Sequence, residues 1–313
     1  PRLIMQAREL NKLRGTFLQG LLKHNTNGRI HAHINQIRSD SGGTVSGRFS
    51  YNHPNLQQIP SRGQFAKEIR KLFIPEIGEY WLKADYSQQE PRLLTHWACL
   101  VGQLGAEEVK EAYKKSDLDF HQQTADMAGV ERRLAKTIGL GVMYGMGYNK
   151  MARELDIDPQ EAKKMLKDFR ERVPFMQGML EAVMNRANSK GIIRTLLGRK
   201  CRFDLWEPTQ WGVHKALPHN QAKVEYGEAI KRAGTYKALN RLIQGSAADQ
   251  TKKAMVDVYE ELGVVPLIQV HDELDCSVKD EKQAKEIQRV METCVELEVP
   301  SKADIDLGES WGG

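Results

Sequence analysis

In VPLIQVHDELDCSV, residues 265–278, two apolar runs meet at three consecutive ionisable residues, His271, Asp272 and Glu273. Runs of this length, bounded by turn residues, predict strands at 265–270 and 273–278 around a His271-Asp272 turn. Segments that want burial make a tip of three ionisable residues costly unless it meets charge. YWLKAD, residues 80–85, predicts another short strand, and it too ends on a carboxylate, Asp85. An aspartate in a turn ordinarily caps backbone amides, and for Asp85 alone that reading suffices. For Asp272 it is weaker. Two carboxylates brought together from distant strands repel, and they pair stably when a divalent cation lies between them. Hard oxygen ligands without His or Cys favour Mg²⁺ over zinc. Two Mg²⁺ ions on shared carboxylates are the arrangement for in-line phosphoryl transfer.

The chain has 313 residues, enough for a large core and about two domains. It holds no 18-residue apolar run, so no membrane partner is expected. Its N-terminus, PRLIMQAREL, is charged and lacks a signal-peptide pattern. Cys99, Cys201, Cys276 and Cys294 are far apart and form no C-x-x-C pair, which argues against a zinc site or disulfide framework and fits a reducing compartment. The net charge of +5 permits a polyanionic partner but fits a slightly basic soluble enzyme equally well.

Along the chain, Leu10, Leu13, Phe17 and Leu21 predict an opening helix, and RIHAHINQI predicts a half-buried strand. The polar stretch SDSGGTVSGRFSYNHPNLQQIPSRG reads as loops and turns. From Pro91 to about Ala187 the pattern is mostly helical, with Asp158 as an N-cap and Pro159 in the first helical position. GIIRTLLGRKCRFDL predicts two short strands around Gly198-Arg199. WEPTQWGVHKALPHNQAKVEYG shows no usable period. A long helix is expected from GTYKALNRLIQGSAADQTKKAMVDVYEEL, another from DEKQAKEIQRVMETCV, and a strand and turn from the tail. The whole predicts an α+β fold whose sheet is covered by helices on one side.

In ERRLAKTIGLGVMYGMG, Arg132, Lys136, Leu140 and Tyr144 recur every fourth position and share one slowly drifting stripe. Cations at a helix N-terminus oppose the helix dipole, so this pair calls for an external anion such as a triphosphate. An ordinary solvated Arg/Lys pair is an equal reading of this helix alone. Gly139, Gly141, Gly145 and Gly147 weaken the helix and suit close packing or movement. His121, just upstream, is positioned to serve the same phosphates or to be a plain surface histidine.

These residues resemble a known family, the family A DNA polymerases. DYSQQEPR is similar to its motif A, RRLAKTIGLGVMYG to motif B and QVHDELDCSV to motif C. SGRFSYNHPNLQQIP resembles the primer-binding segment, LNRLIQGSAAD the palm helix before motif C, and GESW the C-terminal end. Six segments stand in the same order with comparable spacing, and the resemblance covers nearly the whole chain, except about 201–235.

The resemblance implies a right-hand polymerase architecture, with an antiparallel palm sheet and mainly helical fingers. The implied divisions are 1–28 as a thumb remnant, 29–98 and 239–313 as palm, and 99–238 as fingers with an insertion at 201–235. It implies template-directed addition of deoxynucleotides to a primer 3′-hydroxyl by two-metal transfer with release of pyrophosphate. Asp85, Asp272 and Glu273 would be catalytic, and Asp85, Asp272 and the Tyr86 carbonyl would hold two Mg²⁺ ions, for which Mn²⁺ can substitute. Arg132, Lys136, His121, Gln88, Glu90, Leu140 and Tyr144 would form the nucleotide site, with Glu90 blocking a 2′-hydroxyl. Arg48, Asn240, Gln244, His271, Lys12 and Arg14 would contact DNA.

Pro91, Gln89, Leu140 and Tyr236 depart from the family pattern, and Trp206, Trp211 and His214 in the insertion suit either stacking on single-stranded template or packing on one another. The expected partners are primer-template DNA and dNTPs, and the expected setting is a monomer in the cytoplasm of a bacterial or phage-infected cell. These residues show no exonuclease segment, and they are expected to be the C-terminal part of a larger protein. A single-subunit RNA polymerase and a non-catalytic nucleic-acid-binding relative are the rival readings.

Overall fold

The alternation in the Tyr80–Tyr86 strand organises the first half of the molecule. Leu82, Ala84 and Tyr86 are buried on one face, and Trp81 is buried on the other. The computed structural model describes residues 2–39, 42–63, 65–115, 118–210, 212 and 214–313. They fall into two units, one of Pro1–Ser87, Gln250–Val295 and Ser301–Gly313, the other of Gln88–Asp249 and Glu296–Pro300. Among the described residues no helix is long and apolar enough to cross a membrane.

In the first unit Tyr80–Tyr86 lies between Glu273–Val278 and Ala303–Gly308, with Ile268–Val270 beyond Glu273–Val278, and all pairs are antiparallel. The predicted strand at 265–270 is shorter than expected, because Pro266 cannot donate to the ladder. Helix Glu281–Thr293, capped where Asp280 accepts from Gln283 N at 2.8 Å, covers one face with Ala284, Ile287, Val290 and Met291. Ala254 and Val258 of the long helix Ala238–Leu262 join that cluster. Each fully buried Leu, Ile or Val contributes roughly 1.5–3 kcal/mol.

The opposite face is covered by Phe17, Leu21, Tyr51, Leu56, Ile59 and Ile69, of which Tyr51, Leu56 and Ile59 come from the irregular stretch read as loops. The opening helix is Arg2–Lys12, which passes into a π-helical turn at Leu13–Gln19. Of its four spaced apolar residues Phe17 and Leu21 are buried, whereas Leu10 stays exposed. RIHAHINQI forms two short strands, Arg29–Ile30 and His33–Asn35, rather than one.

The second unit is helical around one large apolar cluster. Its helices include Gln89–Leu100, Phe120–Ala128, Arg132–Met143, Pro159–Arg172 and Pro174–Lys190. Asp158 caps as expected, accepting from Gln160 N at 2.7 Å with Pro159 behind it. The predicted hairpin is present as Ile192–Arg194 paired with Lys200–Arg202. The segment without a period folds into a three-stranded sheet of Leu205–Pro208, Leu217–Pro218 and Ile230–Arg232, plus helix His219–Tyr226. There Trp206 packs on its own neighbours, with His219 at 4.7 Å and the Arg232 guanidinium at 4.7 Å from its ring. Trp211 lies outside the described residues.

Buried Asp249 ties the hairpin to the long helix. Its carboxylate accepts from Leu197 N at 3.1 Å and from Arg199 Nε at 3.2 Å. Ser246, one turn earlier, accepts from Leu196 N at 3.1 Å and from Trp97 Nε1 at 3.2 Å. Asp249→Ala leaves a backbone amide and a guanidinium without their acceptor. It should destabilise the protein by about 2–4 kcal/mol in a denaturant melt. A loss under about 0.5 kcal/mol would show the anchor to be dispensable.

Candidate active site

Directly opposed residues of an antiparallel pair share a face, and Asp85 is opposed by Glu273 on one side and by Asp304 on the other. Three carboxylates therefore lie in one row across three strands. The preceding row on this face is Asp275–Lys83–Asp306, and there Lys83 separates the acids and pairs with Asp306 at 2.5 Å. The row through Asp85 has no such cation within it. Asp272 adjoins it, because Tyr86 N donates to Asp272 O at 3.3 Å. The two strand-end carboxylates singled out in the sequence thus belong to one acidic cluster. Asp304 was not anticipated. Its place follows from register, and the only signal in the sequence is an acid in the final strand.

The Asp85 side chain keeps an exposed edge. Loss of surrounding water, then the charges of Asp272, Glu273 and Asp304, nevertheless push its carboxyl up to about 7. The cluster is held from behind. His271 takes a left-handed backbone with φ 58°, and its carbonyl accepts from Gln269 Nε2 at 2.5 Å. Gln57 Nε2 donates to Gln269 O at 3.3 Å. Glu273 Oε1 accepts from Trp311 Nε1 at 3.1 Å, and Trp311 stacks on Trp81 with Arg70 4.1 Å over its ring. Asp275 is fully buried. One oxygen accepts from Trp81 Nε1 at 2.8 Å, and the other has no partner among the described residues. Burial, then the charge of Glu273, holds its carboxyl well above the ordinary carboxylate range.

Among the described residues no group of three or more His, Cys, Asp or Glu side chains is arranged as a complete metal site. The donor set still suits a hard cation. Carboxylates that repel one another have an exposed edge, and the Tyr86 carbonyl is adjacent to Asp85 in sequence. Two carboxylates and a carbonyl leave the remaining positions of an octahedral shell to water and substrate oxygens, which is how Mg²⁺ is usually bound.

In the second unit the predicted stripe is present. Arg132, Lys136 and Tyr144 are exposed, Leu140 is half-buried, and Ala135, Ile138, Gly139 and Val142 fill the core side. Leu140 packs against the central cluster. Arg132 Nε donates to Asp119 Oδ2 at 2.7 Å. Burial, then Lys136, lowers the pKa of His121, and Arg132 adds to this against the opposing charge of Asp119. Tyr144, the C-cap residue, donates its hydroxyl to Glu90 Oε2 at 2.8 Å. Gly145 ends the helix with φ 68°, and a Cβ there would stand 2.7 Å from Tyr236 O. Gly139 faces Met176 and Phe169 at ordinary contact distance. The close packing expected of these glycines is thus against the protein itself at Gly139, Gly141 and Gly145, whereas Gly147 faces open space.

The residues expected at DNA are spread over both units. Arg48 is half-buried beside Thr44, whose hydroxyl donates to Arg48 O at 2.8 Å. Lys12 and Arg14 are exposed where the opening helix becomes a π-helix. Asn240 and Gln244 sit one turn apart and half-buried on the long helix, and His271 is exposed at the acidic turn. Tyr236 is exposed, with Lys237 Nζ 5.3 Å over its ring.

Comparison with known proteins agrees with this geometry. The model of DNA polymerase family A matches residues 1–313. A DNA-directed DNA polymerase of Pseudomonas phage M6 is 39% identical over 361 residues, covering 99% of this chain and 51% of the relative. The thermostable DNA polymerase I of Thermus aquaticus is 34% identical over 98% of this chain and 36% of its own length. Among solved structures, the POL domain of Pol1 from M. smegmatis, in complex with DNA primer-template and dNTP, is 30% identical. It superposes with a TM-score of 0.79 over 97% of this chain and 52% of that one. The chain spans about half the length of the phage relative. Matched along its whole length, and with the three signature segments on the elements just described, the chain belongs to DNA polymerase family A.

Proposed function

We propose that this chain carries out template-directed DNA synthesis, joining deoxynucleotides to a primer 3′-hydroxyl and releasing pyrophosphate. The observation that carries the reading is the acidic row Glu273–Asp85–Asp304 with Asp272 beside it, in a chain of DNA polymerase family A. The first unit acts as palm and the second as fingers, on primer-template DNA and dNTPs. Asp85, Asp272 and the Tyr86 carbonyl hold two Mg²⁺ ions, or Mn²⁺ in their place. When bound, the ions make the 3′-hydroxyl more acidic and neutralise charge on the leaving pyrophosphate. Glu273, oriented by Trp311, adds to the negative potential that draws the cations. His271 meets the primer end.

Arg132 and Lys136 bind the triphosphate by charge. His121, whose pKa burial and then Lys136 lower, offers it a ring N–H. Glu90, steadied by Tyr144, stands against a 2′-hydroxyl, and Leu140 gives the sugar an apolar contact. Arg48, Asn240 and Gln244 touch minor-groove acceptors, which every base pair offers. Lys12 and Arg14 hold phosphates.

Primer extension with Mg²⁺ tests the reading. Asp272→Asn should lower the rate by about 10²–10³-fold or more. A wild-type chain that binds DNA and extends nothing would show a non-catalytic relative. Glu90→Ala should raise ribonucleotide use relative to deoxynucleotide use by about tenfold or more. Equal use of both by the wild type would instead indicate an RNA polymerase.

Asp85 gives a second handle. Its carboxyl titrates near 7 in the folded chain against 3.8 for an ordinary aspartate, so the folded state holds the proton more tightly. The metal-free protein therefore loses stability as pH rises from roughly 4 to roughly 7, and the loss persists above that. Asp85→Asn abolishes that repulsion. Without metal it should melt higher than wild type near pH 8, with a smaller gain near pH 5. Saturating Mg²⁺ should stabilise wild type more than the variant. A variant that melts lower than wild type near pH 8 without metal would contradict the account.

A further inference from the structure

Gln88 lies between the Tyr80–Tyr86 strand and helix Gln89–Leu100, in a left-handed conformation with φ 53° and ψ 44° that L-residues rarely adopt. Its side-chain amide acts like a peptide group of a neighbouring strand. Nε2 donates to Leu118 O at 2.7 Å, and Oε1 accepts from Phe120 N at 2.9 Å. These two bonds clamp the backbone on both sides of Asp119. Asp119 has two tasks of its own. Oδ1 accepts from His121 N at 3.0 Å and Gln122 N at 3.1 Å, capping helix Phe120–Ala128, and Oδ2 accepts from Arg132 Nε at 2.7 Å. Gln88 and Asp119 together satisfy the first three amides of the helix that carries His121.

Arg132 is the first residue of its helix, where a cation opposes the helix dipole and Asp119 offsets that cost. With Nε held by Asp119, the guanidinium plane is fixed. Its terminal nitrogens have no other hydrogen bond among the described residues, and they suit two phosphate oxygens. Burial alone would raise the Asp119 carboxyl, but Arg132 and the two capping amides outweigh it and keep it below the ordinary range. It stays charged as long as Arg132 needs it.

We propose that Gln88 is a positioning residue for the triphosphate: it fixes Asp119, which sets the Arg132 guanidinium and the start of the His121 helix. The assignment rests on the polymerase reading above and gives Gln88 a role through Arg132 rather than a direct contact with the nucleotide.

Single-turnover incorporation by the full chain tests it, with wild type, Gln88→Ala, Arg132→Ala and the double variant. In Gln88→Ala the dNTP concentration for half-maximal rate should rise about tenfold, with the maximal rate within about twofold. In the Arg132→Ala background Gln88→Ala should raise that concentration by a clearly smaller factor, because only the route through the His121 helix remains. Should Gln88→Ala not fold, Asp119→Asn provides the second variant. It keeps a good cap and removes the negative charge that faces Arg132, and it should show the same split. An unchanged half-saturation, or the same factor added to that of Arg132→Ala, overturns the assignment alone. A wild-type chain that extends no primer overturns the polymerase reading and this assignment with it.

Discussion

The register of three antiparallel strands is what the chemistry of the first unit depends on. It sets Asp85 between Glu273 and Asp304, where neighbouring carboxylates repel. The alignment persists because the other face fixes it. Leu82, Ala84 and Tyr86 are buried under helices, and the Tyr86 hydroxyl donates to Met291 O at 2.7 Å. A slip of one residue would turn all of these outward, at several times the cost of one unfavourable charge row. Hydrophobic burial on one face thus enforces electrostatic repulsion on the other. One row away Lys83 pairs with Asp306, which relieves part of the repulsion there.

Support for that row comes from unusual packing beneath it. Two tryptophans, an arginine over one of them and a fully buried aspartate occupy the space where an ordinary sheet would carry aliphatic side chains. Each tryptophan donates to a carboxylate, Trp81 to Asp275 and Trp311 to Glu273. Trp311 lies in the final residues of the chain, and its backbone N–H donates to Phe73 O at 2.9 Å. The tail is therefore part of the wall behind the acidic row. Indole rings pair a large apolar area with one donor, which suits a layer that must be dry and still orient an acid.

Some of this was readable from the residues alone. Short apolar runs bounded by turn residues and a polar tip gave the Tyr80–Tyr86 and Glu273–Val278 strands, and Asp158-Pro159 marked a helix start that the structure has. What escaped depends on partners distant in sequence. Leu205–Pro208 pairs with Ile230–Arg232 across an intervening helix with only Ala222 buried, so neither period could appear in that segment. Phe17 and Leu21 follow the helical spacing into the core, but the π-helical turn that carries Phe17 has no local signature. Asp304 is a single acid in an unremarkable context, and Gln88 was expected at the nucleotide itself, not at the Asp119 backbone. One acquires meaning from strand register and the other from a loop about thirty positions away, as its bond to Leu118 shows.

Most side chains proposed to carry chemistry here stand at the ends of elements, and there is a physical reason. A helix or strand interior is committed to a buried face, whereas an end has unpaired backbone groups and free directions. Asp85 is next to last in its strand, Arg132 opens a helix, Tyr144 closes it, and His271-Asp272 make a turn. Tyr144 shows how firmly such an end can be fixed. The next residue, Gly145, needs a left-handed backbone and has no room for a Cβ against Tyr236 O, so the helix has to stop there. The tyrosine hydroxyl is thereby delivered to Glu90, 2.8 Å from hydroxyl to carboxylate. A glycine with no functional group sets the position of a phenol that has one.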